Sequence, residues 1–237
     1  MRIQVIASGS SGNCYLVEEN GRKLLLDAGI PIKKIRRHVN PSDLTGVLLT
    51  HRHKDHCKAA KDLCDLGIPV YAPLDTLKAE GIDKHPYAIP VVSGVMEDGT
   101  ITSQYGVSPF FVIPFSVEHD VPNVGYFIHG FIGNLLYFTD TMYIRYRFPK
   151  IRYLLAECNY CEDILEENVR SGIIDPALGK RIRETHMSLE TLKEFLKTND
   201  TSYLEEIYLL HLSDHNSDAE RMRKEIRRLA GCEGYIA

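Results

Sequence analysis

His51, His53, Asp55 and His56 place four potential metal ligands within the six residues 51–56. Imidazole nitrogen and carboxylate oxygen suit a divalent ion such as zinc, manganese or iron. The segment follows the apolar run 46–50, which reads as a buried strand, and a loop at a strand end aims several side chains into one space. The alternation of His51, His53 and Asp55 puts all three on one side of an extended stretch. A lone histidine is commonly a satisfied core or surface residue. Four donors in this order, directly after a strand, point to a metal site.

Further chemistry-bearing residues fall at the ends of other apolar runs. Asp27 closes Lys23-Leu24-Leu25-Leu26, His119 follows the run 110–117, Asp140 follows 135–139 and His211 follows 206–210. Taken singly, an aspartate there is a turn residue and a histidine a surface or core residue. Their shared placement at strand ends gives them weight. His186 lies two residues before Ser188, which can cap a helix over 188–198, and a helix N-terminus attracts anions such as phosphate. Lys180, Arg181 and Arg183 precede it; Arg145, Arg147, Lys150 and Arg152 follow Asp140. Phosphate binding needs such charge nearby, although basic residues are more commonly a solvated face. Cys158 and Cys161 form a C-x-x-C pair with no second pair to complete a zinc site, so the six cysteines are expected as free thiols.

These residues need strands to carry them. Strands are expected at 3–7, 14–18 and 23–27, with Asn20-Gly21 as a hairpin turn between the second and third. A helix over 32–39, the strand 46–50, a helix over 58–66 ending at Gly67 and a strand at 70–72 follow. Strands then dominate to about residue 140, with turns at Glu97-Asp98-Gly99 and at 129–134. The second half reads as strand 153–157, helices near 161–170, 176–184 and 188–198, strand 206–212 and a last helix near 218–230. This alternation predicts an α/β layered architecture. No repeat or linker divides the 237 residues, so one domain spanning 1–237 is expected.

A 44% apolar content supports a full core, and a net charge of −4 argues against a globally basic nucleic-acid binder while leaving a local basic patch open. No apolar run is long enough to span a membrane, and residues 1–13 do not read as a signal peptide, so a cytoplasmic protein without membrane contact is expected.

H-x-H-x-D-H is the signature of the metallo-β-lactamase superfamily, which this sequence resembles over nearly its whole length. The resemblance implies a four-layer αββα sandwich of two similar halves. It also implies a ligand set for two divalent ions, zinc or manganese, with iron possible. His51, His53 and His119 would hold the first, Asp55, His56 and His211 the second, and Asp140 would bridge them. Asp27 would support the histidine loop by hydrogen bonding.

Within that superfamily, 7–13 (Ala-Ser-Gly-Ser-Ser-Gly-Asn), Leu26-Asp27-Ala28-Gly29, Glu118-His119-Asp120, Thr139-Asp140-Thr141, Glu157-Cys158-Asn159 and His211-Leu212-Ser213 are similar to a bacterial subfamily of YycJ/WalJ-type proteins. The sequence departs from that pattern at 185–189 (Thr-His-Met-Ser-Leu) and at His215-Asn216, which border the expected substrate side.

The resemblance implies a dinuclear-metal-dependent hydrolase. The expected activity is that of a phosphodiesterase or nuclease, DNA exonuclease-like, using a metal-bridging hydroxide with Asp55 among its catalytic residues. His186 and Glu157 would together protonate the leaving oxygen. Two alternatives are a cyclic-nucleotide phosphodiesterase, which a homodimer covering the site would favour, and a metal-holding regulatory protein without turnover. His119 and Asp140 are 21 residues apart, too close for the tRNA-gripping arm of some relatives, and Asp140 and His211 are 71 apart, short for an RNA-cleaving cap domain. Histidine at 53 and a carboxylate at 140 argue against diiron oxygen chemistry and against antibiotic hydrolysis.

Overall fold

The computed structural model describes residues 1–96 and 99–237. Glu97 and Asp98, two residues of one expected turn, lie outside the described residues.

Two sheets are laid down in chain order. The first runs β1 (Arg2–Ala7), β2 (Cys14–Glu19), β3 (Arg22–Leu26), β4 (Leu44–Leu48), β5 (Val70–Pro73) and β6 (Ala88–Val91). The second runs from β7 (Tyr105–Val107) through β8 (Phe110–Val117), β9 (Asn123–His129), β10 (Asn134–Phe138), β11 (Ile151–Glu157) and β12 (Glu206–Leu210) to β13 (Glu233–Ile236). Each sheet begins as an antiparallel meander and ends as parallel strands, the change falling after β3 in one and after β10 in the other. Short connections join the antiparallel strands, and in the tight β2–β3 hairpin Asn20 and Gly21 both have positive φ, 52° and 74°. Parallel neighbours need crossovers. These carry α1 (Ile32–Ile35), α2 (Lys54–Cys57), α3 (Ala60–Asp65) and α4 (Leu74–Ala79) in the first half, and α5 (Glu162–Arg170), α6 (Pro176–Thr185), α7 (Leu189–Thr198) and α8 (Ala219–Ala230) in the second.

The two-residue alternation of the strands sorts the core into three apolar interfaces. Tyr15, Val17, Leu24 and Leu26 meet Tyr126, Ile128, Leu135 and Tyr137 between the sheets. Cys14, Leu16 and Leu25 point the other way, onto Ile35, Leu63 and Leu77. On the far side Leu136, Phe138 and Leu154 pack with Leu192, Phe195, Met222 and Ile226. Full burial stabilises each such Leu or Phe by roughly 1.5–3 kcal/mol. The result is a helix–sheet–sheet–helix sandwich, the four-layer α/β architecture expected from the sequence.

Some local expectations are corrected. Residues 54–57 are not extended but form the helical turn α2, so Asp55 and His56 reach the site from a helix, not by strand alternation. The expected helix over 58–66 is shorter and starts at Ala60. The regular helix expected over 32–39 ends at Ile35, although Val39 is buried as expected. Helix α4 falls where strands were expected to dominate, and strand β13 had no expectation. Strand β12 stops at Leu210, which releases His211 from the sheet.

Candidate metal centre

Strand direction gathers the site at one edge. Strands β3 and β4 are parallel, as are β10, β11 and β12, so Asp27, Thr50-His51, Asp140, Glu157 and His211 emerge at carboxyl ends, where open α/β sheets build sites. Two antiparallel steps give β8 the direction of β10, and His119 therefore joins them. Asp27, Asp140 and His211 each take up the left-handed backbone region, with φ of 52°, 51° and 54°. Such a conformation costs of order 1–3 kcal/mol in a non-glycine residue and persists where surrounding contacts hold it. Those contacts are present: Asn123 Nδ2 donates to the carbonyls of Thr139 and Asp140 at 3.1 and 2.8 Å, and Asn159 Nδ2 to that of His211 at 2.7 Å.

Three donor groups share Asp140. His51, His53, His119 and Asp140 form one, Asp55, His56 and Asp140 a second, and Asp140, Glu157, His186 and His211 a third. In the first, the His51, His53 and His119 rings stand 4.7, 4.9 and 5.2 Å apart, and His51 Nε2 lies 3.5 Å from Asp140 Oδ2. In the second, His56 Nε2 is 3.4 Å from Asp55 Oδ2 and 3.3 Å from Asp140 Oδ2. In the third, His211 Nδ1 lies 3.0 Å from Asp140 Oδ1 and 3.2 Å from Glu157 Oε1. His186 Nδ1 lies 2.6 Å from the same Glu157 oxygen. Thr141 and Met187 donate their N–H groups to Glu157 Oε2 at 3.0 and 3.2 Å.

A layer of hydrogen bonds orients these groups. Buried Asp27 accepts from Thr50 N at 2.8 Å and from the Tyr137 hydroxyl at 2.5 Å, and His56 Nδ1 lies 2.6 Å from it. That contact leaves His56 Nε2 aimed into the site, as in ligating histidines backed by a carboxylate. The loop 8–13 stitches the two halves together. Ser8 Oγ accepts from the His211 N–H at 3.0 Å, while Asn13 Nδ2 lies 3.0 Å from His56 Nε2. Gly29 allows this approach, since a Cβ there would stand 1.6 Å from the Asp55 carbonyl oxygen.

The electrostatics suit a cation. Burial, reinforced by neighbouring imidazoles, holds His51 well below the usual histidine range, and burial lowers His119. Both are thus neutral, as ligands must be. His51 Nε2 and His119 Nδ1 are buried with no hydrogen-bond partner, although buried polar atoms are nearly always paired. Where Asp140 and Glu157 dominate the balance is reversed. Burial opposes the imidazolium of His211, yet Asp140 and Glu157 raise its pKa to about 10. Burial likewise opposes ionisation of Asp140, and the His211 and His56 charges hold it well below the carboxylate range. Buried carboxylates that draw protons onto adjacent histidines offer the same field to a metal ion. The donor set and the orphaned His51 Nε2, which faces Asp140, therefore fit divalent metal binding.

The family model described as the metallo-beta-lactamase superfamily matches residues 7–145, which include His51 through Asp140. The chain belongs to the metallo-beta-lactamase superfamily. It is 32% identical to the exodeoxyribonuclease WalJ of Streptococcus pneumoniae, over 92% of this chain and 84% of that protein. It is 27% identical to the exodeoxyribonuclease YycJ of Bacillus anthracis, over 99% of this chain and 91% of that one. Among solved structures it is similar to the metallo-beta-lactamase fold protein YhfI from Bacillus subtilis, with a TM-score of 0.72 and 19% identity, covering 99% of this chain and 95% of that one.

Within this superfamily member, the seven expected ligands, with His186 and Glu157, all lie in donor groups joined through Asp140. His211 is the one placed otherwise than its expected grouping. Its ring is 6.1 Å from that of His56, and its Nδ1 faces Asp140 and Glu157, so it clusters with His186 and not with Asp55 and His56. Several of the expected phosphate-binding cations have carboxylate partners instead: Arg145 with Glu118, Arg152 with Glu205 and Arg183 with Glu162. Arg181 reaches Asp120 at 3.3 Å. No helix among the described residues is long and apolar enough to cross a membrane. Cys158 and Cys161 are buried free thiols.

Sequence reasoning passed over Asp120, whose Oδ1 lies 3.1 Å from His119 Nε2 and 3.4 Å from His53 Nε2. It also gave no role to Ser8 and Asn13. All three stand in segments already singled out by resemblance, so the available signal was the motif and not the residue type.

Proposed function

We propose that this protein is a metal-dependent phosphodiesterase that cleaves nucleic acid, DNA exonuclease-like, with two divalent ions. The observation that carries the reading is the Asp140 carboxylate, which belongs to all three donor groups. His51, His53 and His119 would hold one ion and Asp55 and His56 the other, with Asp140 shared between them and the His211 ring beside Asp140. Zinc and manganese both suit this set. When bound, such ions supply Lewis acidity toward a phosphoryl oxygen and lower the pKa of water toward neutrality.

The chain's own residues then orient and move protons. Asp27 fixes the ring of His56, and the loop 8–13 fixes the backbone of His211. Glu157, buried and held by two backbone N–H groups, keeps Nδ1 of His186 occupied. Nε2 of His186 is then left to protonate the leaving oxygen, as general acid catalysis requires. The relatives named as exodeoxyribonucleases support a DNA substrate. The test is purified protein with Mn²⁺ or Zn²⁺ on bis-p-nitrophenyl phosphate, single- and double-stranded DNA, RNA and cyclic nucleotides, beside an Asp55→Ala/His56→Ala variant. The reading expects DNA turnover by the wild type and loss in the variant. Equal rates in both contradict it.

A further inference from the structure

Residues 143–147, which follow Asp140 in the chain, and helix α7, which follows His186, line a groove of about 410 Å³. That lies within the range of roughly 300–1,000 Å³ typical of small-ligand pockets. Ile144 and Tyr146, from the first wall, and Phe195, from the helix, are its buried apolar residues. Tyr143, Arg145 and Arg147 line it from exposed positions on the first wall, with Tyr143 54% exposed. A second cavity of about 470 Å³ shares Arg145 and Tyr146 with the first and extends past Glu118, the neighbour of His119.

The rim is anchored to the cluster. Thr141 donates its N–H to Glu157 Oε2 at 3.0 Å, and its hydroxyl donates to the Tyr143 carbonyl at 3.1 Å. The carboxylate that holds His186 therefore also sets the position of Tyr143. The two glutamates on the helix wall have partners of their own: Glu190 accepts from Glu162 N at 3.2 Å and lies 3.7 Å from Arg221, and Glu194 pairs with Lys197 at 2.5 Å. Arg147 has no ion-pair partner among the described residues. An exposed aromatic ring beside an uncommitted guanidinium is the pairing that holds single-stranded nucleic acid, the ring stacking on a base and the cation meeting a phosphate.

We infer that this groove is the track for a single strand of nucleic acid, with Tyr143 stacking on a base adjacent to the scissile phosphate and Arg147 contacting the backbone phosphate. The inference rests on the nuclease reading for its substrate class and adds where the strand lies. Its test is binding without turnover. Metal-loaded protein is titrated with a fluorescent, cleavage-resistant phosphorothioate oligothymidylate at several salt concentrations, with wild type compared with Tyr143→Ala, Tyr143→Phe and Arg147→Ala.

Tyr143→Ala is expected to weaken binding about tenfold while Tyr143→Phe retains it, since stacking needs only the ring. Arg147→Ala is expected to weaken binding and to flatten the slope of log affinity against log salt by about 0.7, the share of one phosphate on a single strand. Metal content and the far-ultraviolet circular dichroism spectrum, which a folding defect would change, are expected to be the same in all four proteins. Unchanged binding in both alanine variants overturns the inference, as does displacement of the strand by a cyclic mononucleotide at equal concentration. Failure of the wild type to hydrolyse any nucleic acid while it binds the oligonucleotide through these residues overturns the nuclease reading alone.

Discussion

Nδ1 of His186 and Oε1 of Glu157 stand 2.6 Å apart, with the carboxylate fully buried and the ring partly open to solvent. Burial alone would depress the imidazole, but the charge and hydrogen bond of Glu157 outweigh it and raise the His186 pKa above the usual value. The proton donor therefore persists to higher pH, and turnover should fall as pH rises through that raised pKa. His186→Ala should lower kcat by about 10²–10⁴-fold with metal content unchanged. Glu157→Gln removes the charge that raises the pKa, so the alkaline limb of its pH–kcat profile should move to lower pH. Steady-state kinetics across pH, with metal analysis of each protein, check both.

Thr50, His56 and Tyr137 converge on Asp27 in a fully buried pocket. Asn tolerates the same left-handed backbone, so Asp27→Asn removes the charge without adding backbone strain. Breaking this buried pair should cost about 3–5 kcal/mol of stability. Metal affinity should fall by about 10–100-fold through loss of His56 orientation. Chemical denaturation and chelator competition measure the two effects.

The stitching loop gives a separate expectation. Asn13 is buried, and its side chain joins Gly9, Tyr15, Asp55 and His56. Asn13→Ala should destabilise the protein by about 1–3 kcal/mol, because several buried groups lose their partner together. Ser8→Ala leaves only the His211 N–H short of a partner, since the Tyr15 hydroxyl keeps Asn13 Oδ1, and its effect should be smaller. Thermal unfolding of both variants ranks them.

Without metal, the site should have its own pH dependence of stability. His211, raised to about 10, contributes stability that is fully present below the unfolded histidine value near 6.5 and lost as pH rises through 10. Asp140 and Glu157, both lowered by histidine partners against the effect of burial, contribute stability present above ordinary carboxylate values and lost as pH falls through their depressed ones. Chelator-treated protein should therefore be most stable between about pH 4.5 and 6.5 as far as these groups decide it. Metal-loaded protein should lose the alkaline decline, because the ion replaces the proton. Melting temperatures across pH with and without chelator test this.

Much of the site was legible because it is written at strand ends. His51, His119, Asp140 and His211 each follow an apolar run that marks its strand, and direction along the sheet does the rest. Asp55 and His56 were legible as donors but not in conformation, since spacing of two residues suits an extended stretch and the chain instead turns at Lys54. The partner of His211 was not legible, because it depends on the left-handed backbone of that residue, φ 54°, which aims Nδ1 at Glu157. Strand β13 escaped notice because its four residues, Glu233–Ile236, carry only one buried position. Asp120 acquires its place from a contact with His53, 67 residues earlier, that no local pattern encodes.

The most direct test of the account is the metal content of Asp140→Asn beside the wild type, measured by elemental analysis after equilibration with Mn²⁺ or Zn²⁺ and desalting. Asparagine keeps the shape and backbone of residue 140 but removes the charge that joins the three donor groups. The account predicts two ions per chain in the wild type and fewer than one in the variant, with both proteins folded by circular dichroism. Equal metal content in the two proteins contradicts it.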